Sequence, residues 1–133
     1  IWKTPTTLVL ELFTKYHKGK ILKTSTNSPT FASPGMGKQP EYKKNNLLDA
    51  SATFNQNQIC LTIVNKSEME SLKISIPIHT KIIETYLVDG DSPTDMNDIK
   101  NLEKVYIKKN KLEYCTEFIN LPPHSFNLIL LEI

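Results

Sequence analysis

Three histidines, two cysteines and fourteen carboxylates carry whatever reactivity this 133-residue chain has, and their spacing decides which of them could work together. His17, His79 and His124 are scattered over a helix end, a turn and a Pro-Pro corner. No pair has the i,i+4 spacing that sets two imidazoles on one helix face, and no Cys-x-x-Cys occurs, so no zinc site is expected. His124, beside Pro122 and Pro123, reads as a corner residue whose ring packs or hydrogen-bonds locally. No Gly-x-Ser-x-Gly elbow is present for serine catalysis. A cysteine nucleophile needs an activating base, and neither Cys60 nor Cys115 has one nearby in sequence. Gly35-Met36-Gly37-Lys38 lacks the spacing and the strand-to-helix context of a phosphate loop.

The acidic run from Asp89 to Asp98 has the look of a calcium loop. Counted from Asp89, an EF-hand needs glycine sixth and glutamate twelfth, where this chain has Thr94 and Lys100. The run therefore reads as a polar inter-strand loop, with a looser calcium site as the alternative. Paired carboxylates for glycoside hydrolysis must face each other across a cleft. Glu84, Glu113 and Glu117 fall instead on expected strands of a closed sandwich. Asn65-Lys66-Ser67 is a formal glycosylation sequon, meaningful only in a eukaryotic secreted context. No residue is thus assigned a catalytic, cofactor-binding or metal-binding role, and no cofactor is expected.

The elements that would position these side chains are mostly strands. The exception is the first eighteen residues. Thr4 can cap a helix, Pro5 suits its first position, and Gly19 can end it. Leu8, Val9, Leu12, Phe13 and Tyr16 recur at spacings of three and four, giving one apolar face. Lys15, His17 and Lys18 place positive charge near the last turn, where it complements the helix dipole. Ile21-Leu22 starts a short strand. Residues 24–46 are polar and broken by Pro29, Pro34, Gly35, Gly37 and Pro40, a long loop that Phe31, Met36 and Tyr42 could pin to the surface.

From Leu47 the apolar period becomes two. Strands are expected over 47–54, 59–64, 72–76, 81–88, 105–108, 112–119 and 126–133, with a turn at 55–58. The pair Pro122-Pro123 cannot lie inside a sheet, because proline lacks the ladder donor. The apolar run after it, Phe126 to Ile133, must be buried, so the C-terminus belongs to the core of a domain expected to end here. Short strands without intervening helices make the fold all-β: an antiparallel β-sandwich, jelly-roll- or Greek-key-like, with one N-terminal helix. An immunoglobulin domain is disfavoured, because the sole tryptophan is Trp2 and none lies between the cysteines.

Composition is that of a globular domain large enough to bury a core without disulfides or metal. The net charge of +2 is too small to indicate a polyanion partner. Every one of the sixteen basic residues is lysine, and without arginine the usual bidentate reader of phosphate and guanine is missing, so no nucleic-acid partner is expected. No apolar run approaches the ~18 residues of a membrane span, and no signal peptide is seen. Cys60 and Cys115 read as free buried thiols, a disulfide being the alternative in an oxidising compartment. The chain starts at Ile1 rather than methionine, as a fragment of a longer protein would.

Six segments, in order, resemble the C-terminal region of the α-L-arabinofuranosidases of glycoside hydrolase family 51. Thr4-Pro5-Thr6 with Val9, Leu12-Phe13 and His17-Lys18-Gly19 is similar to the stretch forming that family's last barrel helix. Ser28-Pro29-Thr30-Phe31, Leu48-Asp49-Ala50-Ser51-Ala52-Thr53 and Leu61-Thr62-Ile63-Val64-Asn65 follow, then Asn97, Asn101 and Val105 at the family's spacing. Leu121-Pro122-Pro123-His124-Ser125 resembles its turn into the terminal strand. Leu102 departs from the pattern where the family has proline, and Asp98-Ile99 where it has a small-aromatic pair.

The resemblance implies a parent hydrolase that removes terminal α-L-arabinofuranosyl groups from arabinan or arabinoxylan, retaining configuration through two glutamates on a (β/α)8 barrel. Residues 1–19 would be the last helix of that missing barrel and residues 20–133 a non-catalytic C-terminal sandwich. Neither catalytic glutamate motif occurs here, so no site residue is carried over. The implied partners are the enzyme's own barrel, an arabinose-containing saccharide as the parent's substrate, and further copies in a homo-oligomer. The rival readings are a carbohydrate-binding module and a protein-interaction module. A sugar-binding module would need a row of outward tyrosines, whereas Tyr86, Tyr106 and Tyr114 read as core or half-buried. An interaction module would show an exposed apolar patch, with the helix face from Leu8 to Tyr16 as the candidate.

Overall fold

The computed structural model describes residues 1–76, 81–114 and 118–133. His79, Cys115 and Glu117 lie outside the described residues, as do the side chains of Glu113 and Tyr114.

Helix α1 spans Pro5–Tyr16. The Thr4 hydroxyl accepts from the Thr7 amide at 3.2 Å, and proline opens the helix, where its missing N–H costs nothing. The helix ends at the extended residue His17, whose N–H donates to the Phe13 carbonyl. Gly19 then turns the chain at φ +82, where a Cβ would stand 2.3 Å from the Phe54 carbonyl oxygen. Only glycine allows that approach to the neighbouring strand.

Ten strands follow among the described residues: β1 Lys20–Leu22, β2 Thr30–Ser33, β3 Tyr42–Asn46, β4 Leu48–Asn55, β5 Gln58–Asn65, β6 Leu72–Ser75, β7 Lys81–Val88, β8 Lys108–Tyr114, β9 Phe118–Leu121 and β10 Ser125–Glu132. Six form one antiparallel sheet in the order β1-β4-β5-β10-β7-β8, while β2-β3 and β6-β9 make two small sheets. Strands β4 and β5 are joined by a two-residue turn. Gln56 and Asn57 both have positive φ there, as a turn matching the twist of its flanking strands requires.

The core has two layers, one on each face of the large sheet. On one face α1 lays Leu8 and Leu12 against Cys60, Tyr86, Val88, Val105, Phe126, Leu128 and Leu130. On the other, β6 and β9 bring Leu72, Ile74, Ile119 and Leu121 onto Leu48, Ala52, Ile59, Ile63, Ile82, Ile129 and Leu131. The terminal strand β10 lies between β5 and β7 and is covered on both faces, so Phe126 and Leu128 to Leu131 are all buried. Its apolar run from Leu128 to Leu131 is the signature of a strand with no wet side. The architecture is the antiparallel β-sandwich with one helix expected from the sequence.

Three expectations need correction. The span 24–46 is not a continuous loop: β2 and β3 pair within it. Phe31, Met36 and Tyr42 do not pin it, for all three are exposed. Polar contacts hold it instead: the Leu47 amide donates to the Pro29 carbonyl and the Thr24 hydroxyl to the Ala50 carbonyl. The strand expected over 105–108 begins only at Lys108, because Val105 is held in an ordered loop by a side-chain amide, described below. The strand expected over 112–119 corresponds to two strands in different layers, β8 paired with β7 and β9 with β6. Alternation of apolar residues reports a face, not a partner, so the change of sheet left no mark on the pattern.

Candidate functional site

The side chains singled out by type gather in three places, and their partners define what each can do. At the Pro-Pro corner, Asn65 ends β5 almost fully buried. Its amide nitrogen lies within donating distance of three carbonyls, Glu70 at 2.9 Å, Leu121 at 3.2 Å and Pro122 at 2.9 Å. Its oxygen accepts from the Ser67 amide at 3.0 Å. The Ser125 hydroxyl donates to the Pro122 carbonyl at 2.6 Å and accepts from Asn127. His124 sits at φ +40, donates its backbone N–H to the Ser67 carbonyl, and places its ring nitrogens 2.9 and 2.8 Å from the Glu68 and Gly90 carbonyls. The corner is a clamp on backbone, and the sequon asparagine is its centre. A glycan on Asn65 would replace one of the two N–H donors that these carbonyls share, on a side chain 1% exposed, so the folded domain leaves no room for one.

The acidic run turns its carboxylates on itself. Asp95 accepts from the Asp91 and Ser92 amides and pairs with Lys104 at 2.9 Å. That ammonium is the chief reason its carboxyl titrates below the usual range, and the backbone donors add to it. Asp89 pairs with Lys108 at 2.7 Å, and Asp98 accepts from the Lys100 and Asn101 amides. No group of three or more metal-ligating side chains converges among the described residues. Between this loop, the helix start and the corner lies an open cleft of about 620 Å³, with Pro5, Val9, Val64, Asp95, His124 and Phe126 in its walls.

Under the helix a third group ties α1 to the sheet. The Tyr16 hydroxyl donates to that of Tyr86 at 2.5 Å, which donates in turn to Glu84 at 2.5 Å, with Lys109 at 3.6 Å from the same carboxylate. Burial first, then the bonds to Glu84 and Tyr16, pushes the Tyr86 phenol far up, so it stays protonated as a donor. His17 bridges Thr53 and Thr62 at 3.1 Å each with its ring over Phe13, and burial lowers its pKa below the ordinary 6.5. Cys60 is free and buried, with burial pushing its thiol up to about 12, so it is a packing residue rather than a nucleophile.

Glu84 is therefore the acceptor for a core tyrosine's hydroxyl. Tyr86 is core as expected. Tyr106 is exposed, contrary to expectation, with the Lys108 ammonium over its ring. These two tyrosines do not form an outward row. The helix does carry uncovered apolar residues: Leu10 is 60% exposed and Phe13 is also open, as is Trp2 just before the helix.

Two residues were missed as structural anchors. Asn65 stood out only as a sequon, and Asn97 only as a motif position. Asn97 is buried, donating to the Lys3 carbonyl at 2.8 Å and the Val105 carbonyl at 2.7 Å while accepting from the Val105 amide at 2.7 Å. Asparagine before a turn-rich stretch was the available signal; the separation of ninety-four positions between Asn97 and Lys3 hid its use.

Residues 1–125 match the family described as "Alpha-L-arabinofuranosidase C-terminal domain". A comparison with curated protein sequences finds no match. Among solved structures, the chain is similar to an α-L-arabinofuranosidase of Thermotoga maritima, solved as an arabinose complex, at 22% identity and a TM-score of 0.85 over 99% of this chain and 30% of that one. It is similar to a thermostable GH51 α-L-arabinofuranosidase of Thermotoga petrophila RKU-1 at 23% identity and a TM-score of 0.84, covering 98% of this chain and 29% of that one. A family 51 α-L-arabinofuranosidase of Bifidobacterium longum gives 17% identity and a TM-score of 0.80, over 99% and 25%. The chain thus spans less than a third of the length of these proteins.

Proposed function

The chain belongs to the α-L-arabinofuranosidase C-terminal domain family, and from that premise we propose that it is the non-catalytic sandwich of a longer retaining α-L-arabinofuranosidase. The family match over residues 1–125 carries this reading. In it, α1 is the last helix of a preceding (β/α)8 barrel and residues 20–133 are the sandwich. The helix serves both bodies: Leu8 and Leu12 face the sheet, while Leu10 and Phe13 are left for the barrel. The parent's substrate is a terminal α-L-arabinofuranosyl group of arabinan or arabinoxylan, and the hydrolytic carboxylates belong to the barrel. The sandwich covers barrel surface and stabilises the enzyme. Engagement of Glu84, Asp89, Asp95 and Asp98 by neighbouring donors supports a domain without a hydrolytic pair of its own.

The test compares two proteins on a chromogenic α-L-arabinofuranoside. The product of the longer reading frame containing this chain should turn it over, and the purified 133-residue chain should not. Specific turnover by the chain alone, or a parent without a barrel, would overturn the assignment.

A further inference from the structure

We infer that the loop over residues 96–106 is a preformed docking surface for the catalytic body joined to this chain at Ile1, an inference that rests on the reading just given. Within these eleven residues Met96 is 62% exposed, Ile99 78%, Leu102 48% and Tyr106 51%. Single exposed apolar side chains are ordinary, but four on one short loop are not scattered, and such concentrations mark contact surfaces. The loop is also rigid in a way that solvent does not require. Asn97, itself 5% exposed, ties its start to its end through the two bonds with Val105. The Asp98 carboxylate orders the next turn by accepting from the Lys100 and Asn101 amides at 2.8 and 2.9 Å, and the Asp98 amide donates back to the Asn101 carbonyl. Lys104 is drawn to Asp95 at 2.9 Å, which ties the loop to the residue just before it. A loop ordered in advance loses less conformational entropy when it is covered.

The occupant follows from where the loop is anchored. The second Asn97 donor holds the carbonyl of Lys3, so the loop is fixed beside the point where the preceding polypeptide enters. The solved relatives have more than twice this chain's length beyond the matched part, and on the reading above that mass joins here. Trp2, next to Lys3 in the chain, is itself exposed. A second copy of the chain has no such anchor.

The experiment uses the full parent enzyme with a photo-crosslinking phenylalanine in place of Leu102, of Ile99, or of the exposed hairpin residue Met36. Irradiation at Leu102 and Ile99 should join each to a peptide N-terminal to Ile1 in the same molecule, at a yield unchanged by tenfold dilution, with at least fivefold less product from Met36. Cross-links only to a second copy, whose yield falls on dilution, would overturn the inference, as would adducts with solvent alone or equal yields at Met36. Arabinofuranosidase activity of the same preparations keeps the two readings apart. An inactive parent removes the proposed function, while an active parent without the intramolecular product removes the docking surface.

Discussion

Replacing Asn65 with aspartate changes one NH₂ group into oxygen at the centre of the corner and tests whether that amide holds the fold. The nitrogen faces three carbonyl oxygens, of Glu70, Leu121 and Pro122, in a side chain 1% exposed. An ionised carboxylate there would confront only acceptors on that side, so the cheaper course is to bind a proton. Protonating a carboxyl of ordinary pKa near 3.9 at pH 7 costs about 4 kcal/mol. The acid then has one O–H for three carbonyls, which forfeits about another 1–2 kcal/mol. The deficit at pH 7 is therefore about 5 kcal/mol, close to what an uncompensated buried charge costs. With an unfolding entropy of about 0.28 kcal/mol/K for a domain this long, the thermal midpoint should fall by roughly 18 °C. Near pH 4 the proton is supplied by the solvent, and about 1–2 kcal/mol should remain. Urea unfolding followed by far-ultraviolet circular dichroism at pH 7 and pH 4, each against the unaltered chain, reads both values. A deficit under about 1 kcal/mol at pH 7, or one that does not shrink with acid, would refute the reasoning.

Two further outcomes follow from the contacts of α1. His17 has its pKa held below 6.5 by burial, so the folded chain takes up a proton less readily than the unfolded one. Its contribution is complete above pH 6.5 and is lost as pH falls below that value toward the folded pKa; thermal melts from pH 8 to pH 5 should show this decline, and His17→Gln should flatten it, an equal slope in both counting against the role. Leu12→Ala empties a position 4% exposed between helix and sheet and should cost about 3 kcal/mol, or roughly 10 °C in midpoint. Leu10→Ala, on the outer side of the same helix, should stay within about 0.5 kcal/mol; equal losses at the two positions would mean that the helix does not pack as described.

Much of this fold was legible because it rests on local chemistry. Thr4 and Pro5 start a helix wherever they precede an apolar stripe, and the structure has that helix from Pro5 to Tyr16. The two-residue turn after Asn55 and the proline corner before β10 were marked by residues that tolerate or enforce particular φ values. Residues 24–46 were misread because their hairpin is joined by backbone bonds between residues of no apolar period, Thr30 with Asn46 and Phe31 with Asn45. The corner was visible, but not the clamp that holds it, since Asn65 reaches carbonyls fifty-six and fifty-seven residues away.

By itself, then, the amino-acid order marked the helix, most of the long strands and which of their faces are apolar, and it displays none of the catalytic motifs sought in it. These follow from dihedral preference and periodicity, which act over a few residues. Only the tertiary structure decided which strand lies beside which, that β10 is sealed on both faces, and that two asparagines are anchors rather than surface amides. It also left Met96, Ile99, Leu102 and Tyr106 outside on an ordered loop. Burial and hydrogen-bond satisfaction are properties of the closed chain, because each depends on residues that meet only when distant segments pack.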